Sequence, residues 1–318
     1  MKVTILGQHY PYAPLLQKHL GSADFDVAGM PSLKGPLETD VLVTSRLTPD
    51  EASSIRARLL HVPGIGLDAI PFSALPPGCV VCNVGMHEIP IAEYVAHAVL
   101  DYCIFPAGAK FSFEQADWLA TYVGRPLHGE ARGQNALIVG LGKIGQEVAS
   151  RLKAFGMRIV AIDPHAEAGR FADEVHRVDS LDVALRSADV VVLSLPLKES
   201  TRGLIGRRQL ALMKGSALFI NVSRAQLVDE DALYEALTSR RIGRAVLDVW
   251  YAYPSSSDPH AGPSTRRFWD LDNVRATPHI SGWSTGLIHR RYEFIAENIR
   301  RLMRGEVLMN IVDRPQGP

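Results

Sequence analysis

The segment Gly140-Leu141-Gly142-Lys143-Ile144-Gly145 constrains this chain more than any other stretch. Its G-x-G-x-x-G spacing permits a tight turn and a close approach of backbone to whatever lies on it. The spacing alone is weak evidence; its flanks give it weight. The apolar run ALIV (136–139) reads as a buried strand, and QEVASRLKAFG (146–156) reads as a helix. A second strand, MRIVAID (157–163), then ends on an acid about 20 residues after the glycines. Such a strand–turn–helix–strand unit offers free N–H groups at a helix N-terminus to a dinucleotide pyrophosphate. Gly140, Gly142, Lys143, Ile144 and Gly145 are therefore candidate cofactor-binding residues. Asp163 is placed to accept hydrogen bonds from ribose hydroxyls and to repel a 2′-phosphate. No Arg or Lys immediately follows it, which favours NAD over NADP.

The same alternation runs through the chain. In the first part, KVTILG (2–7), DVAGM (26–30), VLVTS (41–45), LLHVPG (59–64) and VVCNV (80–84) read as strands. Thr48, Pro49 and Glu51 form the start of a helix with a capping box. IAEYVAHAVLDYC (91–103) reads as one helix, with Ile91, Val95, Val99 and Tyr102 on a face and His97 as a structural residue. After a polar segment (124–134), further buried strands are expected in DVVVLSL (189–195), ALFINVS (217–223), AVLDVW (245–250) and NVRATPH (273–279). Near-continuous apolar runs suit a parallel sheet covered on both faces. A final helix is expected over about residues 284–305, with Ile288, Tyr292, Ile295, Ile299 and Leu302 recurring at helical spacing between Arg and Glu. The stretch SSSDPHAGPS (255–264) reads as a linker. The length, 318 residues, matches about two domains.

Composition excludes some partners. Lys plus Arg and Asp plus Glu are 34 each, a balance that gives no electrostatic footprint for nucleic acid or an anionic membrane. No stretch approaches the roughly 20 apolar residues of a transmembrane helix, and the first apolar run is too short for a signal peptide. Cys79 and Cys82 form a C-x-x-C, but strand residues three apart point to opposite faces and no second pair completes a zinc set, so no metal is expected. Three cysteines fit a reducing, cytoplasmic setting.

Chemistry-bearing residues cluster where strands of the second series end. Arg224 follows NVS, Asp248 lies in LDVW, and His279 lies in TPHISG. Ligands of open α/β sheets bind beyond the carboxyl ends of the strands. With these segments in order, the chain resembles the D-isomer-specific 2-hydroxyacid dehydrogenases. The resemblance spans PGIGLD (63–68), IAEY (91–94), GLGKIG, LPLKESTRGLIG (195–206), NVSRA, LDVW, TPHISG and GEVLMNIVD (305–313).

The resemblance implies a Rossmann-type NAD-binding domain, residues 103–283, inserted in a flavodoxin-like substrate-binding domain, residues 1–102 plus 284–318. It implies hydride transfer between NAD and a small 2-oxo or 2-hydroxy acid, and a homodimer. Arg224 matches the arginine that clamps the substrate's carboxylate and carbonyl oxygens, and His279 matches the acid/base. Gly64, Ile65 and Gly66 match the loop whose N–H groups receive the carboxylate. Pro196, Val222, Ser223 and Gly282 match cofactor contacts, and Asp248 matches the residue near the nicotinamide carboxamide.

Three departures bear on substrate. Family members usually carry a glutamate just before the proline that follows the LDV strand; here Tyr253 stands before Pro254. A carboxylate there supports the charged imidazole, and its loss lowers the histidine pKa by about one unit or more. A hydrogen bond from the Tyr253 hydroxyl to His279 would keep the ring oriented without supplying charge. His87 stands where a small polar residue such as Asn is usual, so His87 or Glu88 is a candidate substrate contact. Ala225 replaces a glycine, a mild change. Formate-dehydrogenase-like hydride transfer and an NAD(H)-sensing, corepressor-like role are the alternatives; turnover of NADH with 2-oxo acids, and of NAD with formate, separates them.

Overall fold

The computed structural model describes residues 1–105, 112–254 and 258–313. The first three residues of the linker read above, 255–257, lie outside them. The chain divides into two compact units, Met1–His87 with Ser284–Pro318, and Glu88–Trp283.

In the first unit, five parallel strands form one sheet: Lys2–Leu6, Asp26–Met30, Val41–Val43, Leu59–Val62 and Val80–Asn83. Counted in chain order they lie 2-1-3-4-5, the flavodoxin-like arrangement. Cys82 packs in the core on one face, with Val3, Ile5 and Tyr292, and Cys79 in the core on the other, with Leu42 and Leu60. All three cysteines are buried. Thr48 caps the helix Pro49–Ser54 in a reciprocal box with Glu51. The helix Thr285–Arg304, capped by Ser284, buries Leu287, Ile288, Tyr292, Ile295, Ala296 and Ile299. The same face also buries Arg291 and Asn298, two polar residues within the apolar stripe.

In the second unit, seven parallel strands lie in the order 3-2-1-4-5-6-7, the Rossmann order with one strand added. They are Asn135–Val139, Arg158–Ile162, Glu174–His176, Val190–Leu193, Leu218–Asn221, Arg244–Leu247 and Val274–Ala276. The short strand Glu174–His176 went unread because it is half-buried and polar at both ends. The helix Glu88–Ile104 groups with this unit. Its apolar face joins the core beneath the helix Lys143–Ala154 and the first strand. Residues 88–102, given above to the substrate-binding domain, therefore stand with the second unit, because burial of Ile91, Val95 and Val99 against that core decides their membership.

Candidate active site

The order of the second sheet reverses between Asn135–Val139 and Val190–Leu193, and the glycine turn leaves the first of these strands. Gly140 has φ +96°, and a Cβ there would lie 2.8 Å from Leu195. A Cβ on Gly145 would lie 2.1 Å from the Gly140 carbonyl oxygen. These two glycines let helix, turn and neighbouring strand close on each other. Gly142 differs: nothing lies within 4 Å of its Cβ direction. It is the N-cap of the helix Lys143–Ala154 and makes no side-chain cap, so the first-turn amides remain available to an anion. Asp163, just past the strand Arg158–Ile162, accepts from Leu141 N at 2.8 Å through one oxygen. Its other oxygen accepts from His165 N at 2.8 Å and Ala166 N at 3.1 Å. Burial alone would raise the carboxyl; these amides outweigh it and hold the pKa below the usual range. A turn with open space at its centre, free amides and a fixed carboxylate at the second strand's tip fits a dinucleotide.

The other strand ends carry the polar groups. Asn221, 2% exposed, accepts Ser223 N at 3.1 Å and donates to Arg224 O at 3.0 Å. This brace shapes the turn from which the Arg224 side chain leaves; its Nη1 donates to Ser223 O at 2.9 Å. The Ser223 hydroxyl donates to Leu195 O, and the Thr201 hydroxyl to Pro196 O. Val222 is buried and Gly282 half-buried.

Asp248 is fully buried. Its Oδ1 accepts from Thr277 Oγ1 at 2.6 Å and Ile280 N at 2.8 Å, and its Oδ2 from Ser281 N at 2.8 Å. Asp248, read from sequence as a cofactor contact, engages the loop that carries His279 through both oxygens. Because Thr277 gives its single hydroxyl proton to that carboxylate, the Tyr94 hydroxyl, 2.7 Å away, donates to Thr277. Trp250 Nε1 donates to Thr277 O at 2.9 Å. Between these bonds His279 is held at φ +60°, a left-handed conformation that a histidine keeps only when its surroundings impose it.

The His279 ring has solvent on one side and packed protein on the other. Burial lowers its pKa below the ordinary value; Asp248 opposes this and the Arg224 charge adds to it. The Arg224 and His279 charges thus act on one another. Tyr253 OH lies 2.9 Å from His279 Nδ1 and accepts from Trp250 N at 3.0 Å. With one lone pair of the hydroxyl taken by Trp250, the hydroxyl can still donate to a bare Nδ1 or accept from a protonated one. The aromatic run after the strand therefore divides its work. Trp250 is buried against the 277–281 loop, Tyr251 OH donates to Val228 O at 3.1 Å, and Tyr253 reaches the imidazole.

Residues 108–281 match the model of the D-isomer specific 2-hydroxyacid dehydrogenase, NAD binding domain. The chain belongs to this family. The dehydrogenase fold of the whole chain is matched by a D-isomer specific 2-hydroxyacid dehydrogenase from Lactobacillus delbrueckii ssp. bulgaricus, solved as its NAD complexed form. The TM-score is 0.78 at 21% identity, covering 98% of this chain and 100% of that one. Hydroxypyruvate reductase of Thermotoga maritima is 36% identical over 261 residues, 80% of this chain and 81% of that protein. D-3-phosphoglycerate dehydrogenase of Methanocaldococcus jannaschii is 33% identical over 290 residues, 88% of this chain. The chain spans about half of that relative's length, 53%. The dinucleotide that this domain serves is NAD, in line with the glycine turn and Asp163.

Within the first unit, Gly64, Ile65 and Gly66 form a partly exposed loop after the strand Leu59–Val62, and His87 packs beside it. Sequence reasoning missed the Asn221 brace, the Tyr94–Thr277 relay and the burial of Arg291. Thr277 and Asn221 carried a signal, lying two residues before His279 and three before Arg224; Tyr94 carried none, since its partner Thr277 is distant in the chain. Among the described residues no group of three or more His, Cys, Asp or Glu forms a metal site. No described helix is long and apolar enough to cross a membrane.

Proposed function

We propose that this protein is an NAD-dependent oxidoreductase that interconverts a small 2-oxo acid and its D-2-hydroxy acid. One observation carries the reading: His279, in a conformation imposed by Asp248, shares Nδ1 with the Tyr253 hydroxyl while its charge interacts with that of Arg224. Bound NADH supplies the hydride, and NAD accepts it in reverse. Arg224, a fixed and always charged fork, binds the substrate carboxylate and carbonyl oxygens. Nε2 of His279 gives a proton to the carbonyl oxygen as negative charge develops there, and takes it from the hydroxyl in the other direction. Tyr253 orients the ring in either protonation state, a task a carboxylate performs only as acceptor. Asp248 is a positioning residue. The Gly64–Gly66 amides receive the carboxylate, and Pro196, Val222, Ser223 and Gly282 line the cofactor side.

Substrate choice follows the curated relatives: an oxygenated 2-oxo acid such as hydroxypyruvate is the first candidate. NAD is preferred to NADP because of the Asp163 charge. The unit Glu88–Trp283 serves as the NAD-binding domain, and the other unit binds substrate. The protein acts as a homodimer in the cytoplasm. In support of the dimer, Phe113, Leu119, Val123 and Leu127 are each more than 70% exposed, a run of apolar side chains that a second copy would cover. The test is NADH and NADPH oxidation by purified protein with hydroxypyruvate, glyoxylate and pyruvate. Wild-type turnover lost in both Arg224→Ala and His279→Ala supports the reading; turnover retained in either sinks it.

A further inference from the structure

The first sheet has a switch point of its own. Its order reverses between the strands Lys2–Leu6 and Val41–Val43, and ligands of open α/β sheets bind beyond the carboxyl ends of such a pair. Gly7, with φ +74°, turns the chain sharply out of the first of these strands and leaves Gln8 exposed at its tip. Beyond the second strand comes Ser45, half-buried. Gln8 Nε2 donates to Ser45 Oγ at 3.2 Å and lies 3.5 Å from His9 Nε2. His9 is 2% exposed, and its Nδ1 stands 3.3 Å from the Tyr292 hydroxyl. A buried ring thus anchors the loop whose next side chain, Gln8, reaches solvent.

The loop Gly64–Gly66 lies one strand along. The ladder between Val41–Val43 and Leu59–Val62 continues through Thr44 N, which donates to His61 O at 3.2 Å. The two strands therefore end side by side, with Ser45 leaving one tip and Gly64 the other. On the loop's other flank, Val84 N donates to Gly64 O and Asn83 Nδ2 to Ile65 O, each at 3.3 Å. Neighbouring strands lie about 4.8 Å apart, a span that a three-carbon acid bridges. A glutamine amide has two donor hydrogens and an acceptor oxygen, and a serine hydroxyl has one proton and two lone pairs. With Nε2 turned to Ser45 and His9, Gln8 Oε1 and the Ser45 proton meet no protein partner among the described residues. Turning the amide over exchanges the roles: Oε1 then accepts the Ser45 proton, and Nε2 points out beside a Ser45 lone pair. In both arrangements the pair offers one donor and one acceptor without charge.

We propose that Gln8 and Ser45 form a hydroxyl-reading pair. It selects 2-oxo acids with a hydroxyl on the carbon next to the carbonyl, as in hydroxypyruvate, over alkyl 2-oxo acids such as pyruvate. This deepens the oxidoreductase reading and rests on it for the place of the carboxylate at Gly64–Gly66. A hydroxyl donates and accepts at one oxygen, so it meets both members of the pair. A methyl group in that place takes water from both and returns no hydrogen bond.

The experiment has two readouts on the full chain. The first is the ratio of kcat/KM for hydroxypyruvate to that for pyruvate in NADH oxidation. Ser45→Ala and Gln8→Met each lower this ratio about tenfold, mainly through KM for hydroxypyruvate, while Ser45→Thr, which keeps the hydroxyl, retains it. An unchanged ratio in either folded variant overturns the proposal. An equal loss for both acids overturns it too, since the pair then serves only to clip two loops together. The second readout needs no turnover: calorimetric titration of each acid into NAD-loaded protein, where no hydride is available. Wild-type protein binds hydroxypyruvate the more tightly, and Ser45→Ala loses that preference; equal or undetectable binding of the two acids by wild type overturns the proposal. If wild-type protein reduces neither acid, the oxidoreductase reading fails, whereas the titration still decides whether the pair reads a hydroxyl.

Discussion

The Tyr253 hydroxyl lies 2.9 Å from His279 Nδ1 and at the same time accepts the backbone N–H of Trp250. A phenol thus meets the imidazole, and it offers the ring orientation without charge. Reduction needs His279 protonated, so the rate falls as pH rises through the His279 pKa. That pKa is already lowered by burial, which puts the fall on the acid side of the ordinary imidazole value. In Tyr253→Glu a carboxylate favours the imidazolium, and the fall moves alkaline by about one unit. The pH profile of NADH oxidation checks this; an unmoved profile refutes it. In Tyr253→Phe the profile keeps its place and kcat drops about tenfold through lost orientation.

Asp248 accepts three hydrogen bonds from the loop around His279. In Asp248→Asn the amide nitrogen faces a donor it cannot accept. The variant loses about 2 kcal/mol of unfolding free energy by urea titration. Its kcat falls further than its KM rises. With the opposing charge gone, the His279 pKa drops again, and the reductive profile shifts to lower pH. A variant with wild-type kcat would show that the loop holds its shape without the carboxylate.

The glycines of the cofactor turn separate folding from binding. In Gly145→Ala a Cβ meets the Gly140 carbonyl at 2.1 Å, so the helix must move and the thermal midpoint falls by several degrees, about 1–3 kcal/mol. Gly142 has ordinary φ and open space at its Cβ direction. Gly142→Ala therefore leaves the unliganded midpoint in place but weakens NADH binding by about tenfold or more, because the methyl occupies room a pyrophosphate needs. Scanning calorimetry and NADH fluorescence titration distinguish the two variants.

The Asp163 carboxylate is fixed by three amides, and the proposed preference for NAD over NADP rests on its charge. Asp163→Ser removes the charge that opposes a 2′-phosphate. The ratio of kcat/KM for NADH to that for NADPH then falls about tenfold or more. A ratio equal to wild type would assign the preference elsewhere.

Two buried histidines in the first unit make the fold sensitive to acid. Burial lowers His61 to about 4 and, with help from the Arg291 charge, His9 to about 3. Both are neutral in the native state and bind protons more readily when unfolded. Their contribution is intact above an unfolded pKa of about 6.5 and is lost progressively as pH falls toward the folded values. The urea midpoint should decline from just above pH 6 downward. His61→Gln, offering its amide to Asn298 in place of Nε2, should flatten that decline; an equally steep decline would exclude His61 as a cause.

Much of this protein could be read from the order of its residues. Apolar runs and glycine spacing act over a few neighbours, so the parallel strands, the dinucleotide turn and Asp163 were legible, and a repeated order of motifs brought Arg224 and His279 to strand ends. Other features depend on groups far apart in the chain. The helix Glu88–Ile104 joined the second unit because its apolar face found that unit's core, and no local pattern states which core a face will meet. Asp248 turned to Thr277, Ile280 and Ser281, a choice made only when two neighbouring strands align.

Arg291 shows the difference most plainly. Along the helix it is one of several arginines, and periodicity does not set it apart. Packing buried it against His87, some two hundred positions away. Local sequence determined which elements form and what chemistry they carry, because propensity, turn geometry and periodicity are short-range. Burial and charge coupling were decided by the tertiary structure, because each is set by whichever distant groups the fold brings into contact.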